Sequence, residues 1–445
     1  MRDLETRAAR MINGLRSERF VGHVIEINGN TIVARGLSTV ASLGDRVIIR
    51  ASSADVAAEI VRLTSDWVYL TPDETLEGVQ IGDSVLLTGS PGFAPDPSWI
   101  GRVIDPDGRP LDNRPILGGV RPVALHAAPP KAYQRRGLGE RLATGLIVFD
   151  TLLPLVKGQR IGLFAGSGVG KSTLLATLAR GIACDVAVIA LVGERGREVR
   201  EFVDSVLGPE GLARSVVVAA TSDRAPQIRK RCALSAIAVA EYFRDLGLHV
   251  LLLVDSVTRF AEAHREVSAT SGEAGFLRGY PASTPSAIAG LCERAGPGSG
   301  DTGDITAIYS VLVAGSDMEE PVADMLRGVL DGHVVLDRAI AEAGRYPAVD
   351  VLRSVSRSLP QAATPDENEL LSDARRLIGA YARSDLMIKA GLYAKGSDTL
   401  VDRAILKKPG LDRLLSTTSQ SVEDSFQQLR AVIADTKSDR SGIHM

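Results

Sequence analysis

The glycine-rich stretch AGSGVGKST, at residues 165–173, contains the residue types needed to hold phosphate groups. Glycines let the backbone wrap closely around an anion with its N–H groups pointing inward. The stretch follows the apolar run IGLFA and opens a helical pattern, which is the context of a phosphate-binding loop, or P-loop. We predict that a nucleotide contacts Gly166, Ser167, Gly168, Val169, Gly170, Lys171, Ser172 and Thr173.

Two side chains of this loop are expected to act on the nucleotide. Lys171 should reach the β- and γ-phosphates, and Ser172 should ligate Mg²⁺. The N-terminus of the following helix adds free N–H donors and a favourable dipole. The first position is Ala165 where the strict pattern has glycine, which is a small departure.

Two carboxylates follow other apolar runs. Asp255 ends the run VLLLVD, and it is expected to hold Mg²⁺ through the water shell of the ion. Glu194 follows the run VAVIALV, where a carboxylate can orient or deprotonate an attacking water molecule. Spacing alone equally allows a second interpretation, in which Glu194 only pairs with Arg195 or Arg197.

Composition limits the class of protein. The 445 residues are enough for two to four domains. A net charge of -3 and 4% aromatic residues argue against a nucleic-acid surface. The three cysteines are far apart, and the six histidines do not lie at metal-ligand spacing, so we expect free thiols and no transition-metal site. The start MRDLETRAARM lacks the apolar segment of a signal peptide, and the apolar runs are too short to span a bilayer, which predicts a cytoplasmic protein.

The pattern of elements changes twice along the chain. Short alternating runs at 20–88, separated by turn signals such as Asn28-Gly29-Asn30, predict a small β-barrel with a structural or oligomerising role. Residues 89–118 are rich in Gly, Pro and Asp and predict a linker followed by a hairpin. From about 120 to 350, strands and helices alternate, which predicts an α/β doubly wound domain with a mainly parallel sheet. After about 360 only helical patterns follow.

The first residues and two loops leave alternatives open. Residues 2–18 predict an amphipathic helix that either packs on its own domain or docks on a partner or an anionic membrane. From its residues alone, the loop at 269–283 is either a plain Gly-rich surface loop or a segment with a binding role. The loop at 295–304 is expected to be flexible, and no chemistry is assigned to it.

Several motifs in order resemble one family across about 20–430. The chain is similar to the flagellum-specific ATPase of the type III protein export apparatus, which is related to the catalytic subunits of rotary ATP synthases. The resemblance is carried by GRVIDPDGRPLD, LLPLVKGQRIGLFAGSGVGKSTLL, VGERGREVREF, LLLVDSVTRFA, LDGHVVLDR, YPAVDVLRSVSR and GLYAKGSDTLVDRAI. The stretch LYAKGSD and the FAGSGVGKS form of the P-loop favour export ATPases over ATP synthase.

The resemblance implies a RecA-like P-loop core and an ATP hydrolase that works with Mg²⁺ as a homohexamer. It implies that Glu194 positions the lytic water, with Arg195 following it in the motif. Arg357, in SVSR, matches the arginine finger that enters the site of the neighbouring subunit, and Tyr346, in YPAVD, matches the aromatic residue that packs on adenine.

The resemblance also implies partners and a location. It implies a stator-like negative regulator bound through the N-terminal region, exported substrates with their chaperones, and an export gate at the inner membrane. In the family, the part that corresponds to the loop at 269–283 faces the central channel of the hexamer, so the resemblance allows this loop to grip a central stalk or an exported chain. Nucleic acid is not expected as a partner. The predicted domains are an N-terminal helix at 1–19, a barrel at 20–90, a RecA-like domain at 91–355 and a helical domain at 356–445.

Four other kinds of protein share part of this set of motifs. A virulence-type secretion ATPase has identical chemistry, and only the Lys-Gly-Ser-Asp segment at 395–398 favours the flagellar system. A rotary synthase subunit would carry a dense acidic run that 366–390 lacks. A hexameric RNA translocase would need an aromatic, basic barrel, and a non-hydrolysing subunit would not need Lys171, Glu194, Asp255 and Arg357 together.

Overall fold

The structure is a computed structural model that describes residues 19–89, 92–313 and 318–434. The amphipathic helix predicted at 2–18 lies outside these residues. In the described ranges, no helix is both long and apolar enough to cross a membrane.

The first described domain is a closed barrel. Its strands are β1 (Val21–Asn28), β2 (Thr31–Arg35), β3 (Arg46–Arg50), β4 (Asp55–Leu63), β5 (Trp67–Pro72) and β6 (Ser84–Gly89), joined in the order β1-β2-β5-β4-β3-β6. Buried and more exposed residues alternate along β3 and β4, as the pleat of a strand requires when one face is covered. Gly29, at a φ of 55°, makes the turn between β1 and β2. The predicted barrel is confirmed.

The central domain is built on a largely parallel sheet. The remaining strands are β7 (Gly92–Phe93), β8 (Arg102–Ile104), β9 (Val123–Ala124), β10 (Arg160–Ala165), β11 (Val186–Glu194), β12 (Ser215–Thr221), β13 (Val250–Asp255), β14 (Gly275–Leu277), β15 (Tyr280–Pro281), β16 (Ile305–Leu312), β17 (Gly332–Leu336) and β18 (Val349–Ser356). Within the described ranges the central sheet has the order β18-β17-β10-β16-β13-β11-β12-β8, and β18 is its antiparallel strand. Strands β7 and β9 pair separately, as do β14 and β15.

Helices cover both faces of this sheet and form the C-terminal domain. The α-helices are α1 (Ile147–Asp150), α2 (Lys171–Gly181), α3 (Gly196–Glu201), α4 (Gly208–Leu212), α5 (Pro226–Asp245), α6 (Val257–Thr270), α7 (Thr284–Glu293), α8 (Pro321–Val329), α9 (Arg338–Glu342), α10 (Pro365–Lys389), α11 (Thr399–Leu414) and α12 (Val422–Ile433). Separate apolar cores lie on the two faces of the sheet, and the face that carries α2 continues into the C-terminal helices. This arrangement confirms the predicted α/β core and helical C-terminal domain.

Of two expectations about irregular segments, one is confirmed and one is wrong. The hairpin predicted within 89–118 is present, since the backbone N–H of Gly108 donates to the carbonyl of Asp105 and Ile104 bridges to Pro110. Its first arm, residues 102–104, also forms β8 and extends the core sheet beside β12, where each of its side chains is buried. The loop at 295–304, expected to be flexible, is held by Arg136, whose guanidinium donates to the carbonyls of Gly300 and Thr302 and to the carboxylate of Asp304. Charge-assisted bonds of this kind fix a loop that glycines alone would leave free.

One buried carboxylate joins the C-terminal domain to the core. Asp150 is fully buried, and its Oδ1 accepts hydrogen bonds from the backbone N–H and the hydroxyl of Thr144, both at 2.8 Å. Its Oδ2 accepts bonds from the hydroxyls of Ser419 at 2.9 Å and Ser425 at 3.1 Å, in the C-terminal domain. The carbonyl of Thr144 packs against Gly181 at the end of α2, so this contact lies next to the helix that follows the P-loop.

Candidate active site

The P-loop lies between β10, which ends at Ala165, and α2, which begins at Lys171. Gly168 and Gly170 have φ values of 78° and 85°, which are left-handed conformations that glycine adopts without strain. Val169 is buried in the core and anchors the loop from below. Ser167, Gly168, Ser172 and Thr173 remain exposed around it. The loop therefore presents its polar surface to solvent at the carboxyl end of a central strand, where ligands bind in sheets of this type.

The carboxyl ends of neighbouring parallel strands bring three predicted residues together. Asp255 ends β13 and Glu194 ends β11, and these two strands are adjacent. The ammonium group of Lys171 donates a hydrogen bond to Oδ1 of Asp255 and lies 3.9 Å from Oε1 of Glu194. Asp255 is 3% exposed, so its charge is sheltered from water. The structure thus places a cation and two carboxylates beside the P-loop.

Glu194 has a strongly perturbed acidity. Burial and the nearby carboxylate of Asp255 raise its pKa to about 7, and the ammonium group of Lys171 acts in the opposite direction. A carboxyl group whose pKa lies near neutral pH can exchange a proton with water under physiological conditions. The position therefore suits a group that orients or deprotonates a water molecule.

Tyr346 also lies next to the P-loop. It follows α9 in the connection to β18, and it is 50% exposed. A β-carbon placed on Gly170 would lie 3.3 Å from two carbons of the Tyr346 ring, so the ring borders the start of α2. A half-exposed aromatic ring at this place offers a flat face on which a base can stack.

Two predicted site residues are not part of this cluster. The side chain of Arg195 is 79% exposed and lies 3.6 Å from a carboxylate oxygen of Glu198. Arg357 is exposed and follows the end of β18. Its guanidinium donates to the carbonyl of Arg327 at 3.4 Å, and its backbone N–H donates to the carbonyl of Asp331 at 3.0 Å.

The strand register shows that Arg357 lies at the opposite end of the sheet from the P-loop. Ala165, just before the loop, pairs with Leu336, whereas Ser356 pairs with Gly332 at the other end of β17. The four residue steps between these two levels span roughly 13 Å along the strand. Because Arg357 also lies two strands away from β10, its side chain cannot reach the phosphate site of its own chain.

The side chains available for a metal ion suit a hard cation with few protein ligands. Among the described residues, no group of three or more His, Cys, Asp or Glu side chains could hold a metal ion. The P-loop offers the exposed hydroxyl of Ser172. Asp255 accepts a hydrogen bond from Lys171, the residue before Ser172, so its carboxylate also lies beside the loop. One hydroxyl and one carboxylate are the donor set of Mg²⁺ sites that a nucleotide's phosphates and water complete.

Sequence reasoning missed one residue of the site. The hydroxyl of Ser310, on β16, donates a hydrogen bond of 2.7 Å to Oδ1 of Asp255. Ser310 is fully buried in a mostly apolar strand. A small hydroxyl side chain within the run ITAIYSVLV was the available signal, since burying such a group without a partner is costly.

Comparisons with known proteins agree with this geometry. The ATP synthase alpha/beta family, nucleotide-binding domain, matches residues 145–356, and the T3SS EscN ATPase C-terminal domain matches residues 363–431. The flagellum-specific ATP synthase of Caulobacter vibrioides is 42% identical to this chain, covering 93% of this chain and 95% of that protein. The type 3 secretion system ATPase of Xanthomonas euvesicatoria is 40% identical, covering 97% of this chain and 98% of that protein.

A solved structure is also similar over most of the chain. It is that of the assembled ATPase EscN in complex with its central stalk EscO, from the type III secretion system of enteropathogenic E. coli. The TM-score is 0.84 with 37% sequence identity, and the match covers 93% of this chain and all of that one. The chain belongs to the family of flagellar and type III secretion ATPases, and its activity is the hydrolysis of ATP.

Proposed function

We propose that this chain hydrolyses ATP as a homohexamer to drive the export of flagellar proteins. One observation carries the oligomeric part of the proposal. Lys171, Glu194 and Asp255 meet at one end of the sheet, whereas Arg357 is exposed at the other end. A single chain therefore holds a phosphate site without its arginine finger, and a ring of copies can supply that arginine from a neighbour.

Each residue at the P-loop then has a role. The backbone of residues 166–170 and the ammonium group of Lys171 hold the phosphates, and Tyr346 stacks on the base. Glu194 accepts a hydrogen bond from the attacking water and orients it. Ser172 and, through water, Asp255 would hold Mg²⁺, which would neutralise charge on the phosphates when bound.

The two arginines act in different ways. Arg357 of one copy enters the P-loop site of the next and stabilises the charge that develops on the transferred phosphoryl group. Arg195, which is exposed beside Glu194 in sequence, is free to turn toward the phosphates when a nucleotide is present.

Partners follow from the relatives. EscN forms a complex with a central stalk, and we propose that this chain also surrounds a stalk. Residues 1–19 bind a stator-like negative regulator, while export substrates, their chaperones and a membrane export gate are the remaining partners. The protein then works in the cytoplasm at the periphery of the inner membrane. The negative net charge and few aromatic residues support the absence of a nucleic-acid partner.

A virulence-type secretion system is the second candidate. The Xanthomonas ATPase, which covers nearly the whole chain, favours it, while the Caulobacter relative and the Lys-Gly-Ser-Asp segment at 395–398 favour the flagellar system. Deletion of the gene distinguishes the two, because loss of filaments with intact secretion of effectors supports the flagellar assignment. Intact filaments would contradict it.

The shared site is tested by measuring the ATPase rate per subunit against protein concentration, with sizing in the presence and absence of an ATP analogue. A steep rise that follows assembly supports the proposal, and a flat rate would contradict it. Arg357→Ala should retain nucleotide binding and lose about 10³-fold or more in turnover. Arg338→Ala is the matched control, because Arg338 is an exposed arginine that pairs with Glu342 within α9.

A further inference from the structure

The register between strands β13 and β16 places Ser310 beside Asp255. Strands β13 and β16 are parallel, and the register that pairs Val254 with Tyr309 brings Asp255 level with Ser310. Residues at the same level of paired parallel strands project to the same face. That face carries Leu253 and Ile308 in the apolar core that includes residues of α2, so Ser310 lies on the face of the sheet that the P-loop helix covers.

The bond between Ser310 and Asp255 has a defined direction. Ser310 Oγ donates to Oδ1 of Asp255 at 2.7 Å, a length typical of a hydroxyl that donates to a carboxylate. Both side chains are buried, so water does not compete for this contact. A buried hydroxyl without a partner is costly, and a bond to a charged acceptor is stronger than one to a neutral acceptor.

The bond also determines which oxygen of Asp255 is constrained. Among the described residues, Asp255 accepts side-chain hydrogen bonds from Ser310 and from Lys171. In both bonds the acceptor is Oδ1. When Lys171 moves to the phosphates of a bound nucleotide, Ser310 is the donor that continues to hold this oxygen. The carboxylate then keeps the orientation that this bond gives it.

We propose that Ser310 is a positioning residue, which fixes the carboxylate of Asp255 for the water shell of the nucleotide-bound Mg²⁺. The inference rests on the proposed function, since it requires Asp255 to act on that ion. The side chain of Ser310 does not touch the nucleotide or the metal in this role. Its loss lowers the benefit that Mg²⁺ gives to nucleotide binding and leaves metal-free binding unchanged.

A matched pair of variants isolates the hydroxyl. Ser310→Thr and Ser310→Val have nearly the same volume, and only the threonine variant can donate to Asp255. The measurement is the equilibrium affinity of the assembled protein for a fluorescent ADP analogue, with Mg²⁺ and with EDTA. We expect Mg²⁺ to raise the affinity of the wild type and of Ser310→Thr for the ADP analogue by the same factor. In Ser310→Val this factor should be about tenfold smaller.

Two outcomes would overturn the inference. One is that Mg²⁺ raises the affinity of Ser310→Val for the ADP analogue by the same factor as that of Ser310→Thr. The other is an equal loss of affinity with Mg²⁺ and with EDTA, since that would show a packing effect alone. Asp255→Asn separates this failure from failure of the proposed function. If Mg²⁺ still raises the affinity of Asp255→Asn by the full factor, the assigned role of Asp255 is wrong. If this increase in affinity is lost in Asp255→Asn but kept in Ser310→Val, only the role of Ser310 is wrong.

Discussion

The rate of ATP hydrolysis should fall as the pH is lowered through neutrality, because Glu194 takes up a proton in that range. Burial and the charge of Asp255 raise the pKa of Glu194 to about 7, while Lys171 opposes them. Glu194 can orient a water molecule through an accepted hydrogen bond only as a carboxylate. The active form is therefore the deprotonated one, which is present above the raised pKa and lost below it.

The size of the effect follows from that pKa. At one pH unit below it, about one site in eleven carries the carboxylate, so kcat/KM falls about tenfold for each unit on the acidic side. At pH 5.5 the value should be about 30-fold below its plateau at pH 8. An ordinary glutamate, with a pKa near 4.3, would leave the rate constant over this whole range.

Histidine side chains can also take up protons on the acidic side of this profile. Burial lowers the pKa of His126, His249, His264 and His333 from the ordinary value of an imidazole, and that of His264 falls to about 4. A variant that lacks the carboxylate of Glu194 separates the effect of Glu194 from any effect of histidine.

The assay measures kcat/KM between pH 5.5 and 8, with the concentration of MgATP held constant at each pH, because kcat/KM reports the free enzyme. Glu194→Gln is the control, and its residual activity should show no limb near pH 7. A flat profile in the wild type would refute the reasoning. The same limb in Glu194→Gln would assign the proton to another group.

Three further predictions concern substitutions at Glu194, Tyr346 and Asp150. Glu194→Gln should bind ATP with wild-type affinity and cleave it slowly in a single turnover, and a normal first turnover would contradict its role. Tyr346→Ala should weaken ADP binding about tenfold, whereas Tyr346→Phe keeps the ring and should bind as the wild type does; equal affinities in all three proteins would remove the stacking assignment. Asp150→Ala leaves the buried N–H of Thr144 without an acceptor and should lower the opening free energy of α12 by about 3 kcal/mol. Hydrogen exchange in α12 would then be about 100-fold faster while the barrel stays unchanged, and unaltered exchange in α12 would contradict the anchoring role of Asp150.

Periodicity and motif context predicted most of the elements. The runs IGLFA, VAVIALV and VLLLVD are long and apolar, and each became a central strand because both faces of the sheet are covered. Since parallel strands end at the same edge, the positions of Lys171, Glu194 and Asp255 along the chain also predicted that they would meet.

Long-range contacts explain what the sequence could not provide. Strand β8 has only three residues in a Gly- and Pro-rich stretch, and it forms because β12 lies beside it in the folded sheet. The loop at 295–304 is held by Arg136, which is distant in sequence. The bond from Ser310 to Asp255 depends on the register of β13 and β16, which no local pattern specifies.

The position of Arg357 could be inferred from the sequence only through a resemblance. As a lone arginine after the run SVS, it has no local signal of function. The structure adds a physical reason for a role in another copy, since its strand register separates it from its own P-loop.

Mixing two inactive variants tests the central claim most directly. Lys171→Ala removes the phosphate site and keeps Arg357, and Arg357→Ala does the reverse. If each site takes its arginine from a neighbour, a mixed ring contains interfaces in which both groups are intact, about one in four for random mixing. The two proteins should therefore regain ATPase activity when they are mixed and assembled together. Activity that never exceeds the sum of the separate variants, in rings shown to contain both, would contradict a site shared between copies.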